Sequence, residues 1–123
     1  MIGRVESDAP GEGTAPGPLP TARPFDIAAA RERLSERGGY EIVHRSPGLE
    51  IGVYVLVAPE PDRQQPHEDD EVYVVLEGEG TLDVEGARVE LRQGHAVFVP
   101  AGAEHRFSGY EELSVLVIFE RRA

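Results

Sequence analysis

The chain has 123 residues, 40% hydrophobic and 28% charged, which is the composition of one soluble domain with no room for a second. It contains no cysteine, so disulfide scaffolds, thiolate zinc sites and cysteine nucleophiles are excluded. Twelve basic residues, all Arg, against 23 acidic ones give a formal charge of −11, a field that repels phosphate backbones and anionic surfaces and argues against nucleic-acid and membrane partners. The longest wholly apolar run, Val53 to Ala58, is far short of the roughly 20 residues of a membrane span. The start of the chain also lacks the apolar segment of a signal peptide, and the expected location is the cytoplasm.

From Met1 to Pro24 the chain is poor in large apolar side chains and rich in Gly and Pro, as in Pro16-Gly17-Pro18-Leu19-Pro20. Such a stretch buries too little apolar area to offset its ordering entropy, and residues 1–24 are expected to form a disordered or loosely draped arm ahead of one domain over 25–123. Asp26 is placed to cap a helix running to Arg37, with Gly38-Gly39 as the stop. Ile27, Ala30 and Leu34 share one face of it, which predicts a short amphipathic cover helix.

After Gly39 the pattern turns to short β-type runs: Tyr40–His44, Leu49–Val57, Glu71–Leu76, Thr81–Val84, Arg88–Leu91, Ala96–Val99, His105–Phe107 and Leu113–Phe119. So many runs without an intervening helix predict an all-β sandwich or barrel. Glu85-Gly86 reads as a tight hairpin turn. The runs Leu49–Val57 and Leu113–Phe119 are apolar on both faces, which predicts cover from the helix or from a second subunit, and hence a homodimer.

Two clusters carry the chemistry. Gln64-Gln65-Pro66-His67-Glu68-Asp69-Asp70-Glu71 leads into a strand, and an imidazole on the loop with a carboxylate at the strand entry can converge on a divalent metal. The same string also reads as an acidic solvated loop with one exposed histidine. In the second, Gly94 to Phe107, a strand ends at Pro100, a Gly-containing turn reverses the chain and His105 opens the next strand. His105 then shares an inward face with Phe107, either as a ligand or as a hydrogen-bonded histidine beside a turn.

Together the clusters resemble the two motifs of the cupin superfamily. His67, Glu71 and Gly78 occupy the second histidine, the glutamate and the glycine of the first motif, and Gly94, Pro100, Gly102 and His105 match the second motif without a gap. The resemblance covers roughly Leu49 to Phe119 and implies a double-stranded β-helix, the jelly-roll barrel of that superfamily. It implies His67, Glu71 and His105 as ligands of one divalent transition metal per chain, Fe, Mn, Ni or Zn. The first-histidine position holds Gln65, read as a fourth ligand through its amide oxygen or as a hydrogen-bond donor behind the ligands. Glu68, Asp69 and Asp70 are not required by the motif, and His95 and His44 are left out of the ligand set.

Strand parity supplies the rest of the expected pocket. If Glu71 points inward so do Tyr73 and Val75, and Phe107 follows His105, while Tyr54 and Phe98 are added as further lining. Tyr73 is the candidate proton donor. The resemblance implies an enzyme of dioxygenase or isomerase type acting on a small metabolite. The alternative is a binding module, a barrel that captures a small ligand or metal without turnover.

Overall fold

The computed structural model describes residues 21–121, so most of the arm expected over 1–24 lies outside the described residues. One helix, α1 (Ile27–Leu34), precedes eight strands: β1 (Gly39–Ser46), β2 (Leu49–Val57), β3 (Glu71–Glu77), β4 (Glu79–Val84), β5 (Ala87–Arg92), β6 (Ala96–Val99), β7 (His105–Ser108) and β8 (Glu112–Glu120). They form two antiparallel sheets, a five-stranded one in the order β1-β2-β8-β3-β6 and a three-stranded one in the order β5-β4-β7. The chain crosses between sheets in the way of a double-stranded β-helix, because β3 and β4 are consecutive yet belong to different sheets.

The core lies between the sheets. Tyr73, Leu82, Leu113 and Val115 are fully buried there beside Val75, Phe107 and Val117. Period-two alternation delivers it: along β3 Glu71, Tyr73 and Val75 are buried while Val72 and Val74 are half-buried, and along β7 His105 and Phe107 are buried while Arg106 is exposed. The β4–β5 hairpin turns on Glu85 and Gly86, both at positive φ, as two-residue loops of this kind require.

A second cluster forms on the outer face of the larger sheet, where Ala30 and Leu34 of α1 pack on Val53 and Val55, with Ile27 and Leu116 at its margin. The helix covers part of the outer face that suggested a second subunit, over Val53, Val55 and Leu116. Asp26 caps α1 as expected, accepting a hydrogen bond from the Ala29 amide at 3.0 Å. The helix stops at Leu34 rather than Arg37, because Ser35 leaves helical geometry and is drawn to β8: its hydroxyl donates to Glu112 Oε2 at 3.0 Å and the Glu36 amide to Glu112 Oε1 at 3.2 Å. A tertiary contact overrides propensity here, and residues 35–37 become a turn.

Candidate metal centre

Three elements converge on one end of the barrel. Glu71 opens β3, His105 opens β7, and His67 lies on the loop between β2 and β3. That loop is tied to the turn before His105 by two backbone-directed bonds: the Gly102 amide donates to the His67 carbonyl at 2.6 Å, and the Ala101 amide to Asp70 Oδ1 at 2.9 Å. Gly102 makes this approach at a φ of +81°, in the left-handed region that glycine enters freely. The two sequence clusters are thus one structural unit.

The ligand-type atoms of His67, Glu71 and His105 lie within 4.8 Å of one another. Glu71 and His105 are buried, and His67 is half-buried with its ring edge-on to Phe119 at 4.7 Å. His105 Nδ1 donates to the Ala103 carbonyl at 2.8 Å, which orients the ring so that Nε2 faces Glu71 Oε1 at 3.1 Å. Burial works against protonation of His105, but the hydrogen bonds to Glu71 and Ala103 outweigh it and hold its pKa above the ordinary value.

The residues present fit a divalent cation. Glu71 Oε2 is buried without a hydrogen-bond partner, and a buried carboxylate oxygen left unpaired costs about 1–3 kcal/mol unless something positive meets it. Two imidazoles and one carboxylate are the donor set of a site that keeps open positions for a substrate.

The structure brings Tyr73 to the centre and gives its hydroxyl a partner that strand parity does not name: it donates to Gln64 Oε1 at 2.8 Å. Burial first, then the neighbouring Glu71 charge, push the phenol well above its ordinary pKa, so Tyr73 stays protonated. Gln65, read as a fourth ligand or as a donor behind the ligands, makes none of the hydrogen bonds that join Gln64, Tyr73, Glu71 and His105. Its side chain is exposed and borders an outer hollow of about 330 Å³ shared with Glu104 and Arg106. Gln64 takes the inner place, with Oε1 3.2 Å from His105 Nε2.

Behind Gln64 lies Asp62, fully buried, which accepts from Tyr54 Oη at 2.8 Å, from the Phe107 amide at 2.8 Å, and from both nitrogens of Gln64. Neither Asp62 nor Gln64 is found by reading back from the motif, because counting in twos from His67 selects Gln65. Alternation within the loop itself is the available signal, since Asp62 and Gln64 are two apart and share a face, and the step to His67 breaks that register.

A cavity of about 740 Å³ opens onto this end of the barrel. Its wall includes His67, Gln64, Tyr73 and Tyr54, an apolar side formed by Val117 and Phe119, and charged residues of both signs, Arg63 and Arg121 with Glu50, Glu68 and Asp69. Tyr54 therefore lines the pocket as expected. Three other expectations are corrected. Val75 is inward but sealed in the core, Phe107 is buried and packs edge-on against Tyr73 at 4.8 Å as support behind the wall, and Phe98 is 57% exposed. Phe98 pairs with Val72 across β3 and β6, and so takes the face opposite to Tyr73 and Val97.

A family model described as a Cupin domain matches residues 53–119. An uncharacterized protein of Streptomyces coelicolor is 38% identical over 89 residues, covering 72% of this chain and 85% of that one. The acireductone dioxygenase of Leishmania major is 37% identical over 75 residues, covering 56% of this chain but only 22% of the enzyme. Among solved structures, a cupin superfamily protein of Desulfitobacterium hafniense superposes with a TM-score of 0.69 at 21% identity, over 85% of this chain and 95% of that one, a likeness of fold.

Proposed function

The chain belongs to the cupin family, and from that premise we propose that it is a metal-dependent enzyme of dioxygenase or isomerase type, acting on a small metabolite at a divalent ion held by His67, Glu71 and His105. The observation that carries this reading is the unpartnered, buried Oε2 of Glu71 beside the imidazoles of His105 and His67, of which His67 lines a cavity of about 740 Å³. Buried polar groups are ordinarily paired, and this one has what a cation needs and nothing else. The cavity volume suits a small organic ligand. The match to part of an acireductone dioxygenase supports chemistry of the same broad type.

A divalent ion bound there supplies a Lewis acid and open coordination positions. The protein's own groups divide the remaining work. Val117 and Phe119 give the cavity a dry side that excludes water from one face of a ligand. The cavity wall carries both signs of charge, with Arg63 and Arg121 beside Glu50, Glu68 and Asp69, so the bound ion's open positions are what would hold an oxygen-bearing ligand. Tyr73 keeps its proton and serves as a hydrogen-bond donor, given to Gln64 Oε1 in the resting site, so its part in proton transfer depends on a ligand displacing that bond. We propose the carboxylate or enolate of a small acid or carbonyl compound as the ligand class.

The test is elemental analysis of purified protein reloaded with Fe(II), Mn(II), Ni(II) or Zn(II), beside His67→Ala and His105→Ala, followed by oxygen-uptake and isomerisation screens. The expected result is about one metal per chain, lost in both variants, with turnover only in the loaded wild type. No stoichiometric metal under any loading overturns the proposal. Ligand binding that is equally tight with and without metal supports the binding module instead.

A further inference from the structure

We propose that Gln64 completes the metal centre through its amide oxygen, and that Asp62 is the positioning residue that aims it. This rests on the metal reading above and adds a ligand that the motif does not supply. The direction of the amide is set by chemistry. Gln64 Nε2 donates to Asp62 Oδ2 at 2.6 Å, a carboxylate oxygen can only accept, and Oε1 is therefore the atom turned toward the centre. There it lies 3.2 Å from His105 Nε2, which in turn is 3.1 Å from Glu71 Oε1. One nitrogen and two oxygens from three separate chain segments thus face a common point, with the bare Glu71 Oε2 beside them.

Asp62 is itself unsuited to be a ligand, because its two oxygens already accept four hydrogen bonds and the residue is fully buried. Its bonds reach the strand that carries His105, through the Phe107 amide, and the cavity wall, through Tyr54. The carboxylate locks a neutral oxygen donor in place, as a carboxylate behind a ligating imidazole locks the ring. Tyr73 donates to the same Oε1 and holds it from the other side. An amide oxygen is a harder, weaker donor than the imidazole it stands in for, so the centre should favour Mn(II) or Fe(II) over Zn(II) more than a three-imidazole site would.

The experiment is Mn(II) titration of the metal-stripped full chain, read by the electron paramagnetic resonance signal of free Mn(II), with Zn(II) competition to give the Zn/Mn preference. Gln64→Leu is expected to weaken Mn(II) binding by about tenfold or more and to shift the preference toward Zn(II). Gln64→Glu keeps an oxygen at that point but sets a second carboxylate against Asp62 Oδ2, so alone it is expected to bind Mn(II) less tightly than wild type. Asp62→Asn should weaken Mn(II) about tenfold, and Asp62→Asn combined with Gln64→Glu should recover part of that loss. Gln65→Leu should change nothing. Circular dichroism identifies any variant that fails to fold, and the oxygen-retaining double variant Asp62→Asn with Gln64→Glu and the exposed Gln65→Leu then still decide the matter. If Gln64→Leu folds and binds Mn(II) with wild-type affinity and selectivity, or if Gln65→Leu weakens binding as much, the assignment of Gln64 is overturned while the three-residue site stands. If the wild type itself takes up neither Mn(II) nor Zn(II), the metal reading as a whole is overturned.

Discussion

Gly78, the glycine of the first motif, follows β3 at the corner where the chain leaves the larger sheet for the smaller one. Its φ is +91°, and a Cβ there would collide with the backbone oxygen of Glu112 and come within 3.2 Å of Leu113 Cα. Gly86, at the tip of the β4–β5 hairpin, has a similar φ of +85°, but a Cβ added there would meet nothing within 4 Å. The pair separates two effects. Gly86→Ala carries only backbone strain, about 1–2 kcal/mol, partly offset by a less flexible unfolded chain. Gly78→Ala adds overpacking against backbone that cannot rotate aside, about 1–3 kcal/mol more, for a total of about 2–5 kcal/mol.

For a domain of this size each kcal/mol moves Tm by about 4–8 °C, so Gly86→Ala should lower Tm by roughly 4–16 °C and Gly78→Ala by roughly 8–40 °C. The displaced residue also matters, because Glu112 holds Ser35 and Glu36 at the end of α1. Gly78→Ala should therefore loosen the helix before the barrel melts, visible as faster amide exchange over Ile27–Leu34. The assay is thermal and urea unfolding followed by circular dichroism on both variants at one metal concentration, with the urea slope checked for constancy. Equal losses in the two variants would refute the collision, and the motif glycine would then be required for its φ alone.

Metal should stabilise the native state by mass action: at one hundred times Kd the gain is about 2.7 kcal/mol, or roughly 10–20 °C in Tm, rising with log concentration and absent in His105→Ala by differential scanning fluorimetry. Asp26→Ala removes the bond from the Ala29 amide and should destabilise by about 1 kcal/mol in urea unfolding, with metal content unchanged because the cap is remote from the centre. Tyr73→Phe removes one of the two bonds that hold Gln64 and should weaken metal binding by about tenfold or less, and at saturating metal it should lower turnover on any substrate found by about 100-fold or more, measured as kcat on the loaded enzyme. Unchanged kcat would remove Tyr73 from the proton-transfer role.

Most of the strands were legible because alternation and turn residues act locally. The runs Leu49–Val57 and Ala96–Val99 match β2 and β6 to the residue, and the others differ by one or two positions at one or both ends. The inward facing of Glu71, Tyr73, His105 and Phe107 was legible for the same reason, since they obey the parity of their strands, whereas His67, on a loop, was placed by the motif resemblance alone. What was not legible depends on contacts between segments distant in sequence. Helix α1 ends early because Glu112, on the last strand, captures Ser35 and Glu36. Phe98 was misplaced because no ligand anchored the parity of β6, and its facing follows from pairing with Val72. The choice of Gln64 over Gln65 is made by Asp62, whose carboxylate is itself fixed by Tyr54 and by the Phe107 amide.

Among the described residues, the buried polar or charged ones are Asp62, Glu71, His105 and Ser114, and three of these four meet at one end of the barrel. A fold selected for stability alone gains little from buried charge, since an apolar side chain of similar volume is often neutral or better. Asp62 and Glu71 also answer the need for partners in opposite ways. Asp62 is saturated by four donors and reads as a structural strut, whereas Glu71 keeps one oxygen bare although the backbone around it is fully laddered between β6 and β8. Two carboxylates in one network, one saturated and one left open, are what a site needs when the first holds the geometry and the second meets a cation. Replacing Asp62 should therefore disturb the fold and the metal together, whereas replacing Glu71 should chiefly remove the metal.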